Sequence, residues 1–121
     1  MQTHELIVIG IVFLLSLIDY VTGVVNAIMH GELSSEKMRQ GLGHKFAYLA
    51  IICTALIVEY GSDYINPGIE LPVFIPVCAG IFLIEITSIM ENCTKINPEL
   101  SKSNILNILK VNKKESNDKE D

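Results

Sequence analysis

The chain has no tryptophan, only three cysteines and three histidines, and no lysine or arginine before position 37 or between positions 46 and 94. Each scarcity closes off a class of protein. Cys53, Cys78 and Cys93 are odd in number and widely spaced, which suits neither a disulfide framework nor a zinc site. His4, His30 and His44 are scattered, without the His-Glu-x-x-His spacing of a metalloprotease. There is no Gly-x-Ser-x-Gly elbow, no phosphate-binding loop and no cysteine–histidine arrangement beyond chance, so no enzyme activity, metal or cofactor is expected. The formal net charge of -5 argues against a nucleic-acid partner, because such binding relies on basic residues that displace counterions.

What the chain does have is apolar sequence. Half of its 121 residues are hydrophobic and 19% are charged, against about 25% in ordinary globular chains. Mean hydropathy is +0.41. From Leu6 to Met29 the only acidic or basic residue is Asp19, and fifteen of the twenty-four residues are Leu, Ile, Val or Phe. As a helix this run reaches ~36 Å, enough to cross a ~30 Å hydrocarbon layer with some tilt. One aspartate near its centre costs about 3 kcal/mol on the insertion scale, and the apolar residues outweigh it. A second run, Phe46 to Val58, is short for a crossing, but Lys45 and Tyr60 at its ends can snorkel and supply the missing turns. The third, Leu71 to Met90, carries Pro72 and Pro76 near its start, where proline is tolerated, with a kink possible at Pro76. Asn66-Pro67-Gly68 before it is turn chemistry. The expected spans are 6–29, 45–60 and 71–90.

The basic residues orient the spans. Lys37, Arg39 and Lys45 fall between the first and second runs, and Lys95, Lys102, Lys110, Lys113, Lys114 and Lys119 follow the third. Glu59, Asp63 and Glu70 occupy the other connection. Because basic residues mark the cytoplasmic side, three crossings put the N-terminus outside and the C-terminus in the cytoplasm. Without the second crossing the C-terminal lysines would face outward. A soluble three-helix bundle would carry its charges along one face of each helix, whereas here they gather at the ends. A cleaved signal peptide is not expected either, since the first run is too long and has no basic residues ahead of it. The expected fold class is therefore an all-α membrane protein: a three-span unit over 1–98, then a cytoplasmic segment over 99–121. Ile96-Asn97-Pro98 reads as a helix stop, Ser101 to Val111 as a short amphipathic helix, and the charged remainder as a disordered tail.

Polar residues inside the runs fall into stripes. Ser16, Asp19, Thr22, Gly23, Asn26 and His30 share one face of the first helix, and Glu85, Ser88 and Asn92 one face of the third. Ala47, Ala50 and Thr54 give the second helix a small-residue face. Polar groups at such depth avoid lipid, so the stripes either pack inside one bundle or serve self-association and line a wet opening between copies. With the second span starting at Lys45, its ammonium reaches Glu85, about one and a half turns from the inner end. Asp19, ~15 Å deep on the helical rise, lies beyond that reach. Ser34-Ser35 before Glu36 reads as a helix cap.

Four ordered segments carry a likeness. Asp19-Tyr20-Val21-Thr22-Gly23, then Gly31-Glu32-Leu33-Ser34-Ser35, then Gly41-Leu42-Gly43-His44-Lys45, followed by Glu85-Ile86-Thr87-Ser88-Ile89-Met90-Glu91-Asn92, resemble the toxin secretion/phage lysis holin family. The likeness covers roughly Asp19 to Pro98. It implies a small, non-enzymatic protein of the bacterial cytoplasmic membrane that gathers into homo-oligomers. These open lesions through which an endolysin reaches the wall, or through which a large toxin leaves. Asp19, Thr22, Gly23, Gly31, Ser35, Gly41, Lys45, Glu85, Glu91 and Asn92 are the residues the resemblance singles out. One departure is Asn97-Pro98, where family members often have glycine before a proline-rich piece. An asparagine tolerates positive φ, so it can stand in. Two other classes fit a three-span chain without catalytic residues: a membrane adaptor that recruits a soluble partner through its charged tail, and a small ion- or proton-coupled transporter subunit using Asp19 and Glu85.

Overall fold

The computed structural model describes residues 1–102; the expected amphipathic helix and charged tail lie almost wholly outside them. Three helices run α1 Thr3–Met29, α2 Ser35–Ile65 and α3 Phe74–Ile96, followed by a short 3-10 helix at Pro98–Lys102. All three are long and apolar enough to cross a membrane, and no strand occurs among the described residues. At ~1.5 Å per residue they measure roughly 40, 46 and 35 Å. α2 runs antiparallel to α1 and α3, so the start of α1 lies by the end of α2 and the start of α3.

Local sequence explains where each helix begins and ends. Glu5 in the first turn of α1 accepts the Gln2 backbone N–H at 2.8 Å, satisfying one of the orphan donors of a helix start. α1 closes through Gly31, whose φ of +66° is the left-handed conformation that glycine adopts without penalty. Glu32 N–H bonds back to Ala27 C=O and Gly31 N–H to Ile28 C=O, the paired bonds of a Schellman closure. The Ser34 hydroxyl then accepts the Lys37 N–H at 3.1 Å and starts α2. Between α2 and α3, Pro67 sets the turn, Gly68 takes φ +96°, and Ile69 N–H bonds to Asn66 C=O at 3.1 Å.

Several boundaries differ from expectation. α2 begins at Ser35, ten residues before Lys45, because the Ser34 cap lets the polar stretch Ser35–His44 continue as helix. α3 begins at Phe74, leaving Pro72 outside it, and continues past Met90 to Ile96. Pro76 falls in the first turn, where its missing N–H has no helical partner, and the helix runs on unbroken to Ile96. α3 does stop at Asn97, as the sequence implied, but in extended conformation with φ -131°, so positive φ is not what ends it.

The core is small: Val12, Ile52, Phe74, Cys78 and Ile81, with Val8, Ile9, Tyr48, Leu56 and Val77 against it. Most of the apolar surface points outward. Phe13, Phe46, Ile57 and Leu83 are each more than 60% exposed. A single water-soluble chain does not leave apolar area of this extent uncovered; in a bilayer the same side chains lie in hydrocarbon.

Candidate functional site

The site follows from the helix starts and ends. Lys45 lies ten residues after the start of α2, Asp19 ten before the end of α1, and Glu85 eleven before the end of α3. All three therefore sit at one level, ~15 Å along their helices from the end that carries the α1–α2 loop.

At that level the three helices share one cation. Lys45 Nζ donates to Glu85 Oε1 at 2.8 Å and Oε2 at 2.6 Å, and to Asp19 Oδ2. Glu85 is buried, and Lys45 and Asp19 are nearly so. The Tyr48 ring, one turn further along α2, lies 5.5 Å from the ammonium, a cation–π distance. The Lys45–Glu85 pair is the one the sequence suggested. The contact with Asp19 is not: with α2 starting at Lys45 the ammonium would have sat at the membrane face, whereas the observed helix start carries it down to Asp19.

A second set of bonds joins α1 to α3 without α2. The Asn92 amide lies 3.1 Å from Asp19 Oδ1, 3.1 Å from Thr22 Oγ1 and 3.2 Å from Asp19 C=O. Gly23 lies beside it, where a Cβ would come to 3.6 Å from the amide nitrogen, an ordinary contact. The closer approach is at Gly41 on α2, where a Cβ would meet the Tyr20 ring at 3.4 Å. While its oxygen accepts from Asn92, the Thr22 hydroxyl donates within its own helix, to Ile18 C=O or Asp19 C=O.

The remaining candidate residues divide by location. Ser88 borders a mostly apolar recess that opens beside Asp19, Lys45 and Asn92 toward the α1–α2 loop, with Lys37 at its rim. Asn26 is partly buried, and its Oδ1 makes no hydrogen bond within the protein. Ser16 lines a groove between α1 and α2. His30 and Glu91 are exposed, away from the shared cation. Gly31 and Ser35 belong to the turn and the first residue of α2, where their part is to shape backbone. The face made by Ala47, Ala50 and Thr54 points away from the other two helices. Thus the polar stripes of α1 and α3 meet inside one chain around Lys45.

The opposite end holds residues that sequence reasoning passed over. Tyr60 Oη donates to Glu5 Oε2 at 2.6 Å, tying the end of α2 to the start of α1. Glu59 Oε2 accepts the Phe74 N–H at 2.8 Å. Val73 precedes α3 and has no side-chain acceptor, so the neighbouring helix caps α3 in its place. The only sequence sign of either contact was a carboxylate and a phenol adjacent at the end of an apolar run.

Across the chain as a whole, no curated protein and no solved structure gives a significant match. A family model, that of the bacteriophage holin family, matches residues 3–113. Together with three helices able to span a bilayer, that match makes this a multi-pass protein of the cytoplasmic membrane. It carries the ordered motifs, the three spans and the family match together: the chain belongs to the bacteriophage holin family.

Proposed function

We propose that the chain accumulates in the bacterial cytoplasmic membrane, self-associates, and opens nonselective lesions that let an endolysin, or a large toxin, cross. In this reading it is not an enzyme. Residues 1–98 form the membrane unit, with the N-terminus outside and residues 99–121 in the cytoplasm, the orientation that the basic residues favour. The observation that carries the reading is the family match along nearly the whole chain, joined to polar side chains at mid-span that a simple anchor does not need. Asp19, Thr22, Gly23, Asn26, Glu85, Ser88 and Asn92 are the candidates to contact neighbouring copies or water in the assembled lesion. Within a single chain Lys45 and Asn92 already satisfy Asp19 and Glu85, so lining a lesion requires those bonds to be rearranged. The outward face of Ala47, Ala50 and Thr54 needs no such change and lets a second helix approach closely.

Timed induction in a bacterium that holds a large cytoplasmic reporter protein tests the reading. The expected result is an abrupt collapse of membrane potential together with release of the reporter, and lysis when an endolysin is co-expressed. High-level expression that leaves potential and permeability unchanged, with the endolysin trapped inside, overturns it.

A further inference from the structure

The three helices are not held together in the same way. α1 lies closely along α3 over much of its length, while α2 touches α1 at few points. Between α1 and α2 runs an apolar groove of about 280 Å³, bordered by Ile9, Phe13, Leu17, Phe46 and Leu49 and open to the surroundings. Apart from Ile52 in the core, with Tyr48 and Leu56 against it, what joins α2 to its neighbours across and beside this groove is a small set of polar ties. Lys45 binds Asp19 and Glu85 ten residues into α2, and at the far end of the helix Tyr60 binds Glu5 and Glu59 caps Phe74.

In water the groove would close to bury its apolar walls. In a bilayer the hydrocarbon tails are as apolar as leucine, so a loosely packed helix face loses little when lipid replaces a neighbouring helix. The ties are then the main interactions that distinguish α2 docked from α2 detached. α1 and α3 have both close packing and their own stitch through Asn92. We propose that Lys45 and Tyr60 form a two-point clasp and that α2 is the element that swings away from a persistent α1–α3 pair. Release of Lys45 uncovers Asp19 and Glu85 together, at mid-span and on adjacent helices, where water or another copy can reach them. The inference rests on the lesion-forming reading and gives it a regulated step: the clasped chain keeps its carboxylates covered, and the unclasped chain presents them.

The test is a pair of intramolecular distances in liposomes. Cys53, Cys78 and Cys93 are replaced by alanine, and nitroxide labels are placed at Gly10 on α1 with either Ile57 on α2 or Leu83 on α3. Gly10 has open space around it, and the other two side chains are exposed. Labelled protein is diluted with unlabelled protein so that only distances within one chain are read. In Lys45→Gln the 10–57 distance should lengthen by ~5 Å or more, about half a helix–helix spacing, and broaden, while 10–83 stays put. Tyr60→Phe, which keeps Lys45, should shift 10–57 in the same direction by less. An unchanged 10–57 distance in both variants, or equal spreading of both distances, overturns the clasp. If Lys45→Gln is not recovered folded, Tyr60→Phe decides by the same criterion. Permeability of cells expressing the same variants separates the two claims: a moved α2 with no leak overturns the lesion reading alone, and an unmoved α2 in a lytic protein overturns the clasp alone.

Discussion

The α1–α3 pair and the attachment of α2 solve the same problem by different means. α1 and α3 run parallel and pack along their length, with the Asn92 amide bonded to Asp19 and Thr22 and apolar contacts continuing from Val12 to Cys78 and Ile81. α2 lies antiparallel, leaves a groove against α1, reaches the core through Ile52, and otherwise depends on side-chain bonds at Lys45 and at its far end. In lipid, close packing and hydrogen bonds both hold helices together, but they fail differently. A packed seam loses strength gradually with each substitution. A helix held by a few polar bonds loses most of its attachment when one of them goes.

The largest effect that can break this contrast is at Lys45. In Lys45→Met the ammonium disappears and Asp19 and Glu85 face each other uncompensated. Removing one partner of a buried ion pair costs about 3–5 kcal/mol. The variant should be far more sensitive to added protease or thermal aggregation in mild detergent than the parent. The charge swap Lys45→Glu/Glu85→Lys should recover part of what Lys45→Glu loses, and no recovery would mean that the pair is incidental. Asn92→Leu tests the other side. It removes the α1–α3 stitch but leaves the seam, so the loss should be smaller, roughly 0.6–2 kcal/mol by the range for interhelical hydrogen bonds in membranes. Thermal unfolding in the same detergent ranks the two, and a larger loss in Asn92→Leu than in Lys45→Met would reverse the comparison.

Tyr60→Phe comes next. Glu5 keeps the Gln2 N–H but loses the phenol, a smaller change than either because only one hydrogen bond goes and its donor is half-exposed. Protection of amides near the end of α2 should fall, while those in the middle of α1 and α3 hold, as hydrogen exchange in detergent would show. Uniform loss of protection along all three helices would count against α2 being held separately.

The sequence made this division only partly visible, for identifiable reasons. The spans were legible because Leu6–Met29 and Leu71–Met90 are long apolar runs with one acidic residue each and with the remaining charges gathered at their ends. Lys45 and Glu85 were legible as partners because they are opposite charges near the same end. The start of α2 was not legible: Ser35 to His44 is polar and holds Gly41 and Gly43, so hydropathy reads it as a loop. Helix formation there depends on the Ser34 cap and on continuation from an apolar segment, neither of which hydropathy registers. That one boundary misplaced Lys45 by ten residues and hid its bond to Asp19. The Glu5–Tyr60 and Glu59–Phe74 contacts were hidden for another reason. They join residues 55 and 15 positions apart, and only the antiparallel course of α2 brings them together.

The smallest expected effect sharpens the comparison at its origin. If the level of Lys45 depends on α2 starting at Ser35, weakening the cap should loosen the first turns of α2 without touching the ion pair. Ser34→Ala removes the acceptor for Lys37 N–H and should cost about 1 kcal/mol, whereas Ser34→Gly should cost only a few tenths. Both substitutions lie on the exposed side of the loop, so packing is unchanged. The reading is local: faster hydrogen exchange over Glu36–Gln40 in Ser34→Ala, with the Lys45 region still protected. Protection lost as far as Lys45 would mean that the cap and the ion pair act as one cooperative unit, and that the beginning of α2 is part of the clasp.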